Sequence, residues 1–363
     1  MKFIDEFRDP RLARRLAAKI AQISTRPACL MEFCGGHTVA IMRNGIRQLL
    51  PSHIEMLSGP GCPVCVTANR DIDRVIALSQ VPGVIITTFG DMLKVPGSYS
   101  SLQQARAAGG DIRIVYSIQD ALQAARDNPN RPVIFLGVGF ETTAPTVASA
   151  VLQAEKEKIN NFYVLCHLKL TPPAMRALLD LGEIRLNGII CPGHVSTVIG
   201  TKPYETYASD YGVACVVAGF EPVDILQAVE MLVQQIEGGV ARVDIAYTRG
   251  VRQEGNVRAQ DLMNEVFDTA DACWRGMGDI PESGLRLKNR YDQYDAALRF
   301  ELELPPVKEH AGCRCGEILR GVIRPLDCGL FGKACTPENP VGPCMVSSEG
   351  SCAAYYQYGV NNG

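Results

Sequence analysis

The sequence predicts an α/β protein, with two doubly wound parallel-sheet domains followed by a loop-rich C-terminal module. Three observations predict it. Short apolar runs rich in β-branched residues alternate with helical patterns from residue 28 to residue 219, and near-continuous apolar strands are what a parallel sheet covered on both faces requires. The runs end in glycine turns. Beyond about residue 240 this rhythm stops, and Gly, Pro and Cys become dense, with six cysteines at Cys313, Cys315, Cys328, Cys335, Cys344 and Cys352.

In chain order, Leu12, Leu16, Ile20 and Ile23 stand at helical spacing among arginines, which predicts an amphipathic helix over 10–22. Strands are expected at 28–33, 54–57, 84–89, 112–116, 133–137, 162–166, 188–191 and 213–219. Eight such units permit one closed barrel or two open sheets. The polar exit Arg126-Asp127-Asn128-Pro129-Asn130-Arg131-Pro132 reads as a boundary and favours two sheets. The expected domains are therefore 1–128, 129–240 and 241–363. The turns Gly139-Phe140-Glu141 and Gly219-Phe220-Glu221 echo one another.

Composition narrows the function. With 36 basic and 39 acidic residues the net charge is −3, which gives no electrostatic footprint for nucleic acid. No apolar run approaches the roughly 20 residues of a membrane span, and the charged start Met1-Lys2-Phe3-Ile4-Asp5-Glu6 has no secretory h-region. A chain of 363 residues can bury its cores without staples, so its 14 cysteines are not a disulfide framework. The expected location is the reducing cytoplasm, where thiols serve metals or redox chemistry.

Two thiol motifs follow strands near the front. In Cys34-Gly35-Gly36-His37-Thr38 the cysteine falls where a strand ends and a helix over 39–50 begins, where the helix dipole favours a thiolate. A single cysteine beside a glycine turn is ordinarily a core residue; two glycines and His37 beside it point to a functional site. In Gly59-Pro60-Gly61-Cys62-Pro63-Val64-Cys65 the C-x-x-C spacing lets two sulfurs share a metal or cycle to a disulfide. The helix is expected to start later, with Asn69 as its N-cap, leaving the pair in a rigid loop. No second C-x-x-C exists to complete a zinc knuckle site.

The tail cysteines are widely spaced. Thiolates scattered through loops suit an iron–sulfur cube, because each cysteine meets a different iron. Zinc is the alternative, and spacing alone leaves open which four of the six serve as ligands. Gly137-Val138-Gly139 is a weak half of a dinucleotide fingerprint. Pro192-Gly193-His194, Cys166-His167, Thr87-Thr88-Phe89-Gly90-Asp91 and Glu221 place further polar groups at strand ends, where α/β folds build sites.

Together, Phe33-Cys34-Gly35-Gly36-His37-Thr38, Gly59-Pro60-Gly61-Cys62-Pro63-Val64-Cys65-Val66, Gly139-Phe140-Glu141-Thr142-Thr143, Pro192-Gly193-His194-Val195-Ser196 and Met345-Val346-Ser347-Ser348-Glu349-Gly350 resemble the hydrogenase maturation factor family HypD. The resemblance spans essentially the whole chain. It implies two α/β domains with a C-terminal [4Fe–4S] module, and a scaffold role in assembling the iron–dicyanide–carbonyl moiety of [NiFe]-hydrogenase. It also implies the small chaperone HypC and the cyanide donor HypE as partners. Carried over, Cys34, Cys62 and Cys65 become the iron-binding and redox thiols, with His37 beside them. Cys315, Cys328, Cys335 and Cys352 become the cluster ligands, and Cys313 and Cys344 are extra to that pattern. The implied protein is a maturation scaffold with redox-active thiols rather than a conventional turnover enzyme. The other class in play is a free-standing thiol–disulfide oxidoreductase with an iron–sulfur or zinc C-terminal site; iron bound outside the cluster separates the two.

Overall fold

A computed structural model describes residues 4–359. The strands, in chain order, are β1 (Ala28–Glu32), β2 (Ile54–Ser58), β3 (Ile85–Thr88), β4 (Asp111–Ile114), β5 (Val133–Gly139), β6 (Phe162–Leu168), β7 (Gly188–Cys191), β8 (Ala214–Val217), β9 (Val243–Ile245), β10 (Phe267–Trp274) and β11 (Gly278–Leu287). They form two parallel sheets, ordered β2-β1-β7-β8-β9 and β4-β3-β5-β6, and an antiparallel pair β10-β11. Two doubly wound sheets and a loop-rich, cysteine-bearing tail are thus the architecture.

The expected cuts at 128 and 240 do not follow the sheets. β3 and β4 pair with β5 and β6 across the supposed boundary, while β1 and β2 join β7, β8 and β9 from the far end of the chain. The second sheet is therefore an insertion between β2 and β7. The Arg126–Pro132 stretch is only the return from the helix Ile118–Asp127 to β5, held by Arg131 to Asp111 at 2.7 Å. Turn chemistry marks a polar loop whether or not a domain ends there, and that misplaced the cut.

Each sheet changes winding direction once: between β1 and β7, and between β3 and β5. At such switch points the helices on either side leave a crevice at the carboxyl ends of the strands. Every strand of either sheet contributes its loop at that end.

Local chemistry accounts for the main helices. Pro10–Ile23 starts with Asp9 accepting from the Arg11 N–H at 2.8 Å and with Pro10 at its first position. It packs against Pro222–Gly238, burying Ala13, Ala17 and Ile20. Asn69 does not cap; Ala68 takes that place, Asn69 is the first helical residue, and its amide donates instead to the Lys308 carbonyl at 2.8 Å. The expected helix over 39–50 is two pieces, Gly35–Arg43 and Ile46–Leu49, broken at Gly45 with φ +60°.

The β10–β11 hairpin, invisible to the sequence reading, clamps the second sheet to the C-x-x-C turn. It bridges Lys169 through Gly284 and Thr67 through Trp274, and the Arg275 N–H donates to the Val66 carbonyl at 2.9 Å. Trp274 is buried, stacks on Phe140 with 5.9 Å between ring centroids, and donates its indole N–H to Ser283 at 2.8 Å. Burying such a side chain is worth roughly 1.5–3 kcal/mol, enough to fix the hairpin against the thiol turn. One continuous apolar cluster then runs from β5 through Cys62 and Cys65 to Cys315, Cys335, Cys344 and Cys352.

Candidate metal and thiol site

β1 ends at Glu32, and Cys34 is the N-cap of the helix Gly35–Arg43 with extended backbone. The backbone N–H groups of Gly36 and His37 favour a thiolate on its sulfur. Burial opposes them, joined by the carboxylates of Glu349 and Glu32, and pushes the Cys34 thiol up to about 12. The helix terminus alone was expected to free the thiolate, but removing the sulfur from water outweighs two N–H dipoles.

Glu32, which the sequence reading passed over, lies beneath this loop. It is buried, accepts the Cys34 N–H at 2.9 Å and the Thr38 hydroxyl, and burial pushes its carboxyl up to about 8. Its sequence signal was a lone acid closing an otherwise apolar strand. Glu349 was missed as well. A Cβ on Gly35 would lie 2.5 Å from the Glu349 Cβ, so the tail closes directly over the start of the Cys34 helix.

His37 is fully buried, and its Nε2 contacts the carbonyl oxygens of Ala218 at 3.2 Å and Gly219 at 3.0 Å. Two carbonyls require the proton on Nε2. Nδ1 is then a buried lone pair without a partner, and burial lowers the pKa to about 4. His37 is a neutral side chain whose one N–H is committed to β8's exit loop.

The C-x-x-C turn lies against the Cys34 loop. The Gly59 N–H donates to the Glu32 carbonyl at 2.8 Å, and the Gly35 N–H to the Gly61 carbonyl at 3.0 Å. A Cβ on Gly61 would sit 2.3 Å from the Cys34 nitrogen, so this glycine sets the approach of the two thiol motifs. Gly61→Ala should destabilise the protein by about 1–3 kcal/mol through overpacking, read as a lowered midpoint in chemical denaturation of anaerobic protein.

The pair is not in a loop, as expected, but on a one-turn helix, Pro63–Val66. Pro63 stands at its first position, and Cys62 caps it by accepting the Cys65 N–H on sulfur at 3.3 Å. Burial raises the Cys62 thiol well above its ordinary range. For Cys65, contacts from Cys344 and Cys62 and the nearby Arg275 guanidinium outweigh burial and pull the thiol down. Of the two, Cys65 is the sulfur whose surroundings favour the thiolate.

The six tail cysteines line one cavity together with Ile318, Leu330, Phe331 and Met345. Cys315 and Cys344 are in contact, sulfur to sulfur, at 2.7 Å. Cys344 also neighbours Cys352 and Cys65, between the tail and the C-x-x-C turn. A set of thiols in an apolar pocket fits the donor chemistry of an iron–sulfur cluster. Among the described residues no three His, Cys, Asp or Glu side chains close on a single metal-sized point. Cys34, Cys62 and Cys65 therefore do not make a complete ligand set by themselves.

Among the other strand-end groups, Glu221 pairs with Arg8 at 2.6 Å, and the Thr88 hydroxyl is buried without a partner. Glu141 is buried and accepts the Thr171 N–H at 2.8 Å and its hydroxyl at 2.9 Å. Gly137 and Gly139 lie within β5 rather than in a phosphate-binding turn. His167 faces Asp71, Nδ1 to carboxylate, at 3.5 Å. No helix among the described residues is long and apolar enough to cross a membrane.

Comparison with known proteins agrees with these motifs. The sequence profile of HypD, described as the hydrogenase formation hypA family, matches residues 11–359. The hydrogenase maturation factor HypD2 of Bradyrhizobium diazoefficiens is 48% identical over 369 residues, spanning 99% of this chain and 97% of that protein. The HypD proteins of Cupriavidus necator and Escherichia coli K12 are 47% and 45% identical, each across 99% of this chain and 97% and 98% of theirs. The chain belongs to the HypD family of hydrogenase maturation factors.

Proposed function

We propose that this protein is a scaffold on which the iron–dicyanide–carbonyl moiety of [NiFe]-hydrogenase is assembled in the cytoplasm. The iron is cargo. Cys34 contributes a thiolate to it, and the remaining ligands come from the C-x-x-C pair and from a partner, which the resemblance identifies as the chaperone HypC. HypE is the cyanide donor on the same reading. Displacement of the Cys34 proton accompanies metal binding, since only a bound cation offsets the burial that holds this thiol protonated.

The observation that supports the reading is Cys344, which lines the cysteine cavity and neighbours Cys65, whose Sγ lies 3.9 Å from the Pro343 carbonyl. The C-x-x-C pair thus lies beside the tail. A [4Fe–4S] cluster bound in that cavity would supply single electrons. Cys328, Cys335 and Cys352 are three of its ligands. Cys315 is the fourth, as the resemblance implies, and Cys313 and Cys344 line the same cavity.

Cys62 and Cys65 interconvert between dithiol and disulfide, forming one S–S bond with release of two protons and two electrons. Peptide-resolved alkylation after poising the protein between roughly −200 and −350 mV tests this. Labelling of the pair should fall together at the oxidising end. Full labelling at every potential would make the pair a ligand set only. The same depressed Cys65 thiol suits a free-standing oxidoreductase, and iron bound outside the cluster decides between the two.

A further inference from the structure

We infer that Arg275 is a positioning residue that holds a fixed positive charge beside the cysteine cavity and raises the reduction potential of the cluster bound there. The inference deepens the scaffold reading and rests on its cluster.

Arg275 lies in the turn between β10 and β11 and is tied to both thiol elements. On one side its backbone N–H donates to the Val66 carbonyl at 2.9 Å and its Nε to the Thr67 carbonyl at 3.0 Å. Val66 and Thr67 are the two residues that follow Cys65. On the other side the turn meets the residue after Cys315. A Cβ on Gly276 would lie 2.3 Å from the Gly316 Cα, and the Gly276 φ of +77° suits glycine alone. The Gly276 carbonyl also accepts from the Arg320 guanidinium. Cys313, Cys315 and Gly342 make a wall with two faces. The cysteine cavity lies on one, and a cleft lined by Arg275 lies on the other.

The guanidinium lacks a countercharge. Arg275 is only 7% exposed. No carboxylate among the described residues pairs with it, and its Nη2 is buried without a hydrogen-bond partner. The Thr67 carbonyl satisfies one N–H but does not neutralise the charge. A buried cation in that condition is costly unless an anion compensates it, and the anions that its position offers are thiolates. It is already one of the groups that pull the Cys65 thiol down. A cluster held by four thiolates is a net anion, and an added electron makes it more so. A fixed cation nearby therefore stabilises the reduced state more than the oxidised one. Lys308 and His310 line the same cleft, but they are exposed beside Glu309, where water and salt screen them.

Two variants of the full chain, purified anaerobically, test this. Arg275→Gln keeps a donor for the Thr67 carbonyl without the charge, and Arg275→Lys keeps the charge. The cluster is titrated against potential, its reduced fraction read by electron paramagnetic resonance. At the wild-type midpoint the ratio of reduced to oxidised cluster should fall about tenfold in Arg275→Gln, a shift of about 59 mV to lower potential for one electron. Arg275→Lys should stay near wild type, and iron and acid-labile sulfide per chain should be unchanged in both. Loss of the cluster from Arg275→Gln alone, with the lysine variant at the wild-type midpoint, would equally support a missing countercharge. Equal midpoints in all three chains, or equal shifts in the two variants, would overturn the inference. So would loss of the cluster from both, which would mark a structural anchor. A wild-type chain without acid-labile sulfide would instead remove the cluster reading itself.

Discussion

Cys34→Ala will purify folded and brown, yet carry no iron outside its cluster and support no hydrogenase maturation. Folding should survive because the sulfur is a small buried group at a helix N-cap whose backbone is held independently. Glu32 accepts the residue-34 N–H, and Gly61 accepts the Gly35 N–H, whichever side chain is present. No side-chain cap hydrogen bond is lost, so the stability cost is that of removing one small buried group, about 1 kcal/mol. The cluster colour should survive because the tail cysteines form their own cavity. Function should be abolished because nothing else replaces the thiolate: His37 offers only a buried lone pair, and Cys62 and Cys65 occupy a separate turn. The assays are iron and acid-labile sulfide per chain, the infrared cyanide and carbonyl bands, and hydrogenase activity in complemented cells. Wild-type bands in this variant would move the iron to Cys62 and Cys65.

The second large effect lies in the tail. Cys328→Ala and Cys315→Ser should each bleach the anaerobic protein and lower its iron, whereas Cys344→Ser and Cys313→Ser should stay brown. All six sulfurs line one cavity, and the four ligands are those the resemblance implies. Loss of a thiolate ligand from a cluster removes one of four bonds to the protein and is not replaced by a serine hydroxyl of the wrong softness. A bleached Cys313→Ser with a brown Cys315→Ser would move the fourth ligand to Cys313. Stoichiometric zinc with no acid-labile sulfide in the wild type would remove the cluster altogether.

Much of the fold was legible because parallel strands must be apolar on both faces, so the eight runs from 28 to 219 stand out from the helices between them. Which sheet a strand joins was not legible. β1 pairs with β7, more than 150 residues away, and no local pattern records a long-range pairing. The β10 strand hid for a different reason. Its Asp268, Thr269, Asp271 and Cys273 leave little apolar contrast, and a register shift between Ala270 and Ala272 interrupts the alternation.

The site divides the same way. Cys34, Cys62 and Cys65 were found from glycine turns at strand ends, and the structure does bring their loops together. Glu349 approaches Cys34 from over 300 residues along the chain, and the Cys315–Cys344 contact spans 29. Spacing rules read neighbours, not encounters. His37 stands out in the sequence beside Cys34, but what its ring bonds to is not written there. Its only N–H is spent on Ala218 and Gly219. His37→Ala would leave those carbonyls buried and unpaired, at a cost of about 1–3 kcal/mol, so its loss should appear in thermal stability before it appears in the infrared bands.

The most direct measurement of the scaffold claim is iron counting joined to infrared spectroscopy on the wild-type chain, purified anaerobically in complex with the HypC-type chaperone. The account predicts about five irons per chain, four of them with acid-labile sulfide, together with cyanide and carbonyl stretching bands that vanish in Cys34→Ala. About four irons per chain with no such bands, in a preparation that still cycles Cys62 and Cys65, would contradict it and leave a thiol–disulfide oxidoreductase.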